Sequence, residues 1–149
     1  MGRKKIKHQY LFIAVKPIYA AQIVSKHKDI ELRKQKPHIG KGDYVIIYAS
    51  SPLKSVLGIG IVKRIIDCSP NDMWTHFYGR LGITEQDFNS YYANHNRAIG
   101  IEFEFVKAIN PISLAELKMV DPNFHPPQIY RYVTNTDIKA LFLFKKQKV

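Results

Sequence analysis

The sequence predicts an α+β fold, a small curved β-sheet or barrel with peripheral helices, and three observations carry that expectation. Apolar runs of strand length recur at 10–15, 44–50, 55–66 and 98–106. Gly58 and Gly60 interrupt the longest of them and permit a bulge, a bend or a close backbone approach. Helical periodicity is gathered between and after the strands, which places helices around one sheet. At 149 residues the chain has the length for one domain with a core of its own.

Each element has a local cause. Tyr10 to Val15, "YLFIAV", is an unbroken apolar strand, and Lys16-Pro17 halts it with a proline suited to a first helical turn. Ala20, Ile23, Val24 and His27 then recur at helical spacing, so a helix is predicted to end near Lys28. Ile30 to Arg33 alternates, with Ile30 and Leu32 on one face and Glu31 and Arg33 on the other. "GKGD" at 40–43 is a turn before the strand at 44–50.

Ser69-Pro70 caps a helix, and Thr84 with Asp87 opens another running toward His95; together they form a helical insertion at about 69–95. In "AIGIEFEFV", residues 98–106, Ile99, Ile101, Phe103 and Phe105 are expected to face the core and Glu102 and Glu104 to face outward. Ser113 with Glu116 makes a capping box, residues 121–128 are irregular, and a last helix is expected from Asn135 through Phe144.

Charge narrows the partner. The net charge is +11, and it is concentrated: residues 1–9 carry four net positive charges, 26–41 four more and 145–149 three. Clustered cations on a neutral body suit a polyanion, since each neutralised phosphate releases counterions. The outer clusters read as basic tails flanking a domain at 10–144. The six histidines fall at no metal-ligand spacing and the one cysteine, Cys68, sits at the end of a strand, so neither a metal site nor a disulfide is expected. No phosphate-cradling loop or nucleophile elbow is present. Lacking a signal-peptide pattern or a membrane span, the chain is expected to be cytoplasmic, without cofactor or membrane partner.

The informative segment is "SKHKDIELRKQKP", where Asp29 and Glu31 interrupt six basic residues. Lys28, Glu31 and Arg33 project into one neighbourhood. Glu31 and Arg33, about 6.5 Å apart along a strand, either form an ordinary salt bridge or hold cations in fixed positions for a phosphate or base edge.

The runs "LFIAVKPIYAAQIVSKHKDIELRKQKP", "GDYVIIYASSP" and "VLGIGIVKRI" resemble the ASCH domain of the PUA-like superfamily. The shared pattern is an apolar strand ending in Lys-Pro, a helix, then Lys-x-x-Glu-x-Arg, here Lys16, Lys28, Glu31 and Arg33. The resemblance implies a β-barrel of five or six strands with a cleft beside the first helix that holds RNA or a nucleotide-like ligand. Some small members are amidohydrolases acting on acylated cytidine and others are linked to RNA cleavage. The threonine of the amidohydrolase pattern is replaced here by Glu31, and Glu85 reads as a helix-start charge.

The leading expectation is therefore a non-catalytic module binding RNA, another single-stranded nucleic acid or a nucleotide. Lys16, Lys28 and Arg33 would meet phosphates or base edges, Glu31 would orient them, and Tyr48, Ser50 and Trp74 would line the ligand. The alternative is a hydrolase of modified nucleosides or RNA with Lys28 as base or nucleophile. A protein-interaction module with solubilising tails is the third class.

Overall fold

The computed structural model describes residues 8–134; the expected last helix and most of both basic tails lie outside the described residues. Among these residues six strands form one sheet: β1 (Tyr10–Val15), β2 (Ile30–Arg33), β3 (Tyr44–Ala49), β4 (Ser55–Cys68), β5 (Ala98–Ser113) and β6 (Tyr130–Val133). Their order is β2-β5-β4-β3-β1-β6, with β1 and β3 parallel and the other neighbours antiparallel. The sheet curls into a half-barrel, and with its helices the fold is α+β, as expected. Its two edge strands come together at Arg33, whose guanidinium donates from β2 to the carbonyls of Ala14 on β1 (3.3 Å) and Ile129 just before β6 (2.6 Å).

Among the described residues four α-helices cover the sheet: α1 (Pro17–Val24), α2 (Pro70–Phe77), α3 (Glu85–Tyr91) and α4 (Leu114–Val120). β1 is apolar throughout because both of its faces are buried. Leu11, Ile13 and Val15 pack with Val45, Ile47 and Ile101 against Ala20 and Ile23 of α1, while Phe12 turns to Ile46, Tyr48 and Leu117 on the α4 side. A third cluster joins Ile30 and Leu32 of β2 to Met73, Leu81 and Phe88 from the helical segment between β4 and β5. Ser69, Thr84 and Ser113 each accept the backbone N–H three residues on, as their capping patterns predict.

Helix α1 ends earlier than its periodicity suggests. Lys26 adopts φ +68°, and the amides of His27 and Lys28 both turn back to the carbonyl of Gln22. This left-handed stop leaves His27 exposed, takes Lys28 off the helix axis and points the chain into β2.

Strand β5 departs further from simple alternation. The β4–β5 register shifts between Ile61 and Val62 and again between Val62 and Arg64. A slip of one residue inverts the facing of the strand beyond it, so Phe105 emerges 51% exposed and Val106 turns inward. Glu102 faces away from the main core as expected, yet it is 1% exposed. Its outer face is covered by the 3-10 turn Tyr78–Arg80, from which Arg80 reaches both Glu102 (2.5 Å) and Asp29 (2.8 Å), and Arg64 donates to Glu102 at 2.6 Å. Gly60 lies under the Phe103 ring, where a Cβ would stand 2.5 Å from it.

This network has a pH signature. Burial raises the Glu102 pKa, but the hydrogen bonds from Arg80 and then Arg64 outweigh it and hold the carboxyl below its ordinary 4.5. A depressed carboxylate contributes stability above its unfolded pKa and loses it as pH falls through the folded one. Acid unfolding of the wild type should therefore steepen below about pH 4.5, and Glu102→Gln should flatten that limb in a circular-dichroism titration. Coincident curves would remove Glu102 from the account.

Candidate functional site

A cleft of about 600 Å³ opens at the carboxyl ends of β1 and β3, between α1, β2 and α3. Lys16 and Tyr19 approach from the start of α1, Lys28, Glu31 and Arg33 form its floor, and Ser50 follows β3 at its edge. Asp87, Ser90 and Tyr91 of α3 make the opposite wall with Ile83, and Gln128 closes the side toward β6.

Lys28 is 2% exposed, an unusual place for an ammonium. Three features hold it there. It donates to the Leu81 carbonyl, lies 3.9 Å from Glu31 Oε1, and sits 5.3 Å from the centroid of the Tyr19 ring. Gly82 makes the first of these possible: at φ +63° it passes so close to the Lys28 stem that a Cβ would stand 3.2 Å from it. Desolvation lowers the Lys28 pKa, and Glu31 and Asp29 offset only part of that.

Glu31 is shared between two cations, its second oxygen lying 3.3 Å from Arg33 Nη1. Arg33 thus serves as a structural clasp across the sheet edges and as part of the cleft floor. Lys16 is different. It is exposed, and among the described residues its ammonium has no hydrogen bond or ion pair, so it can turn to a ligand. Tyr19 has its pKa raised by burial, then by Asp87 and Glu31, which keeps the phenol protonated. Lys34 stands 4.5 Å from the centroid of the Tyr91 ring, outside the residues that line the cleft.

Five of the sequence-selected residues, Lys16, Lys28, Glu31, Arg33 and Ser50, line this one cleft, and two do not. Tyr48 is 2% exposed and packs on Phe12, because the alternation of β3 that sends Ile47 and Ala49 toward α1 sends Tyr48 to the opposite face. Trp74 rests on Phe88 and Tyr78 at α2, outside the cleft. The basic segment also disperses: Lys26 reaches Phe105 and Lys36 reaches Asp67, leaving Lys28 and Arg33 as its cleft cations.

The wall from α3 is absent from the sequence reading. Asp87, Ser90 and Tyr91 fall at i, i+3 and i+4, so one helix face carries them, and that spacing was the available signal. Glu85 is exposed and does not line the cleft; the carboxylate that α3 contributes is Asp87. Among the described residues no group of three or more His, Cys, Asp or Glu side chains could hold a metal ion, and no helix is long and apolar enough to cross a membrane.

A curled six-stranded sheet with a Lys-x-x-Glu-x-Arg floor beside the first helix is the arrangement of an ASCH domain protein. The chain belongs to the family described as domain of unknown function DUF365, whose model matches residues 12–120. It is similar to an ASCH domain-containing ribonuclease of Zymomonas mobilis subsp. mobilis, 28% identical over 135 residues that cover 91% of each chain. The crystal structure of ASCH from Zymomonas mobilis matches with a TM-score of 0.86 at 28% identity, covering 90% of this chain and 94% of that one. A single-residue variant of that protein matches with a TM-score of 0.85 at 27% identity, covering 90% and 96%.

Proposed function

We propose that this chain is a ribonuclease that cuts single-stranded RNA in the cleft beside Lys28. The observation that carries this reading is a buried lysine with lowered proton affinity, set beside Arg33 at the floor of an open, cation-bearing cleft. The name of the Zymomonas mobilis relative supports the substrate class.

RNA brings its own nucleophile. Attack of a 2′-hydroxyl on the adjacent phosphorus forms a 2′,3′-cyclic phosphate and breaks the bond to the 5′-oxygen. The 2′-hydroxyl must lose a proton and the departing 5′-oxygen must gain one. Lys28 acts as the base from its deprotonated form in this reading, and the protonated phenol of Tyr19 is the donor. Lys16 and Arg33 offset the charge that builds on the phosphate oxygens. An acylcytidine amidohydrolase finds less support, because Glu31 replaces the pattern's threonine and is engaged by both Lys28 and Arg33.

A binding module without turnover is the second reading, and one observation favours it. Lys28 and Arg33 already donate to Leu81, Ala14, Ile129 and Glu31, as cations with a purely structural and electrostatic role would.

Incubation with one strand in all-ribo and all-deoxy forms separates these readings. The ribo strand should be cut to cyclic-phosphate ends, while the deoxy strand is bound and left whole. Equal cutting of both would overturn the 2′-hydroxyl chemistry, and an intact but bound ribo strand would establish the binding module.

A further inference from the structure

The register shift in β5 leaves an aromatic ring in solvent. Phe105 is 51% exposed, and Lys26 holds its ammonium 5.1 Å from the ring centroid. Lys26 does so from φ +68°, a left-handed conformation that any residue with a Cβ adopts at a steric cost and that glycine would adopt freely. The two residues line a second groove, of about 200 Å³, with Phe103, Glu104 and Asp29. Lys28 lines this groove and the main cleft alike, so the two sites are neighbours across one side chain.

We propose that this groove is a second nucleotide subsite, taking the base next along the strand from the one in the main cleft. The base stacks on Phe105, and Lys26 swings from the ring to the adjoining phosphate. Stacking on an exposed ring is tolerant of sequence and needs only one free face. Asp29 is already held by Arg80, whereas the Glu104 carboxylate has no hydrogen bond or ion pair among the described residues and can accept a base N–H. The bulge and the strained lysine then have a common use, since the first presents the ring and the second supplies its cation.

This inference rests on the RNA reading, and the test keeps the two apart. Binding of adenosine 3′-monophosphate and of a 2′-O-methylated tetra-adenylate, which cannot be cut, is measured by titration for the wild type and three variants. Phe105→Ala should weaken the tetranucleotide about fivefold or more and leave the mononucleotide unchanged. Phe105→Trp should retain the affinity, with its indole emission quenched by the tetranucleotide alone. Lys26→Gly should raise the melting temperature while weakening the tetranucleotide, because it relieves the backbone and removes the cation. Wild-type binding that is equal for both lengths, or unchanged in Phe105→Ala, would overturn the subsite. A wild type that binds neither probe would overturn the RNA reading itself, and the subsite with it.

Discussion

Lys28→Met is expected to lower the rate of RNA cleavage about 10²- to 10⁴-fold while affinity falls much less, since loss of a proton-transfer group acts on the transition state. Methionine keeps the buried stem and removes the ammonium, so the loop at Leu81 and Gly82 keeps its packing partner. The wild-type rate should rise with pH as Lys28 loses its proton, with a limb below the 10.5 of an ordinary lysine because burial favours the neutral amine. That limb should vanish in the variant. Single-turnover kinetics across pH provide the check. An unaltered rate in Lys28→Met would take the base from this position, and an equal loss of affinity and rate would return Lys28 to a binding role.

Glu31→Ala is expected to have the largest effect on the fold, about 3–5 kcal/mol in urea unfolding at neutral pH. The variant leaves Lys28 and Arg33, with side chains 2% and 12% exposed, without the carboxylate between them. Glu31→Gln keeps an acceptor for Arg33 and should cost less, about 1–3 kcal/mol. The sign of the pH dependence comes from Lys28, which binds its proton less tightly folded than unfolded. Between those two pKa values the unfolded chain holds more protons, so stability rises with pH, and the alanine variant should recover part of its loss in alkali. A penalty under about 1 kcal/mol would mark an ordinary exposed salt bridge.

Both effects meet at Arg33. By joining β2 to the backbones of Ala14 and Ile129, it holds the half-barrel's edges at the spacing that forms the cleft, while Glu31 ties it to Lys28. The cleft's shape and its charge are therefore maintained by one set of contacts, and loss of either partner should disturb both.

Near neighbours in the chain determined what the sequence by itself could reveal. β1 and β2 run over the residues expected, Ser69, Thr84 and Ser113 cap as predicted, and Glu31 and Arg33 share a face of β2 opposite Ile30 and Leu32. Proline placement, capping and strand alternation act within a few residues, so their signals survive without a partner surface. Lys16 and Ser50 were selectable because they stand at element ends, and Lys28 because it lies in the short connection that leads into that strand.

Tertiary structure decided the rest. β6 is a short strand with partly exposed residues, and it exists as a strand because β1 offers it an edge. Tyr48 left the cleft because the opposite side of β3 is covered by α4, which a count along one strand does not reveal. Glu102 became buried because the 3-10 turn delivers Arg80 to it, and Phe105 became exposed because the mismatch arises between β4 and β5. The face of α3 that walls the cleft and the depth of Lys28 have the same origin. Each depends on a surface supplied from far along the chain, and burial, unlike periodicity, is a property of the assembled pair.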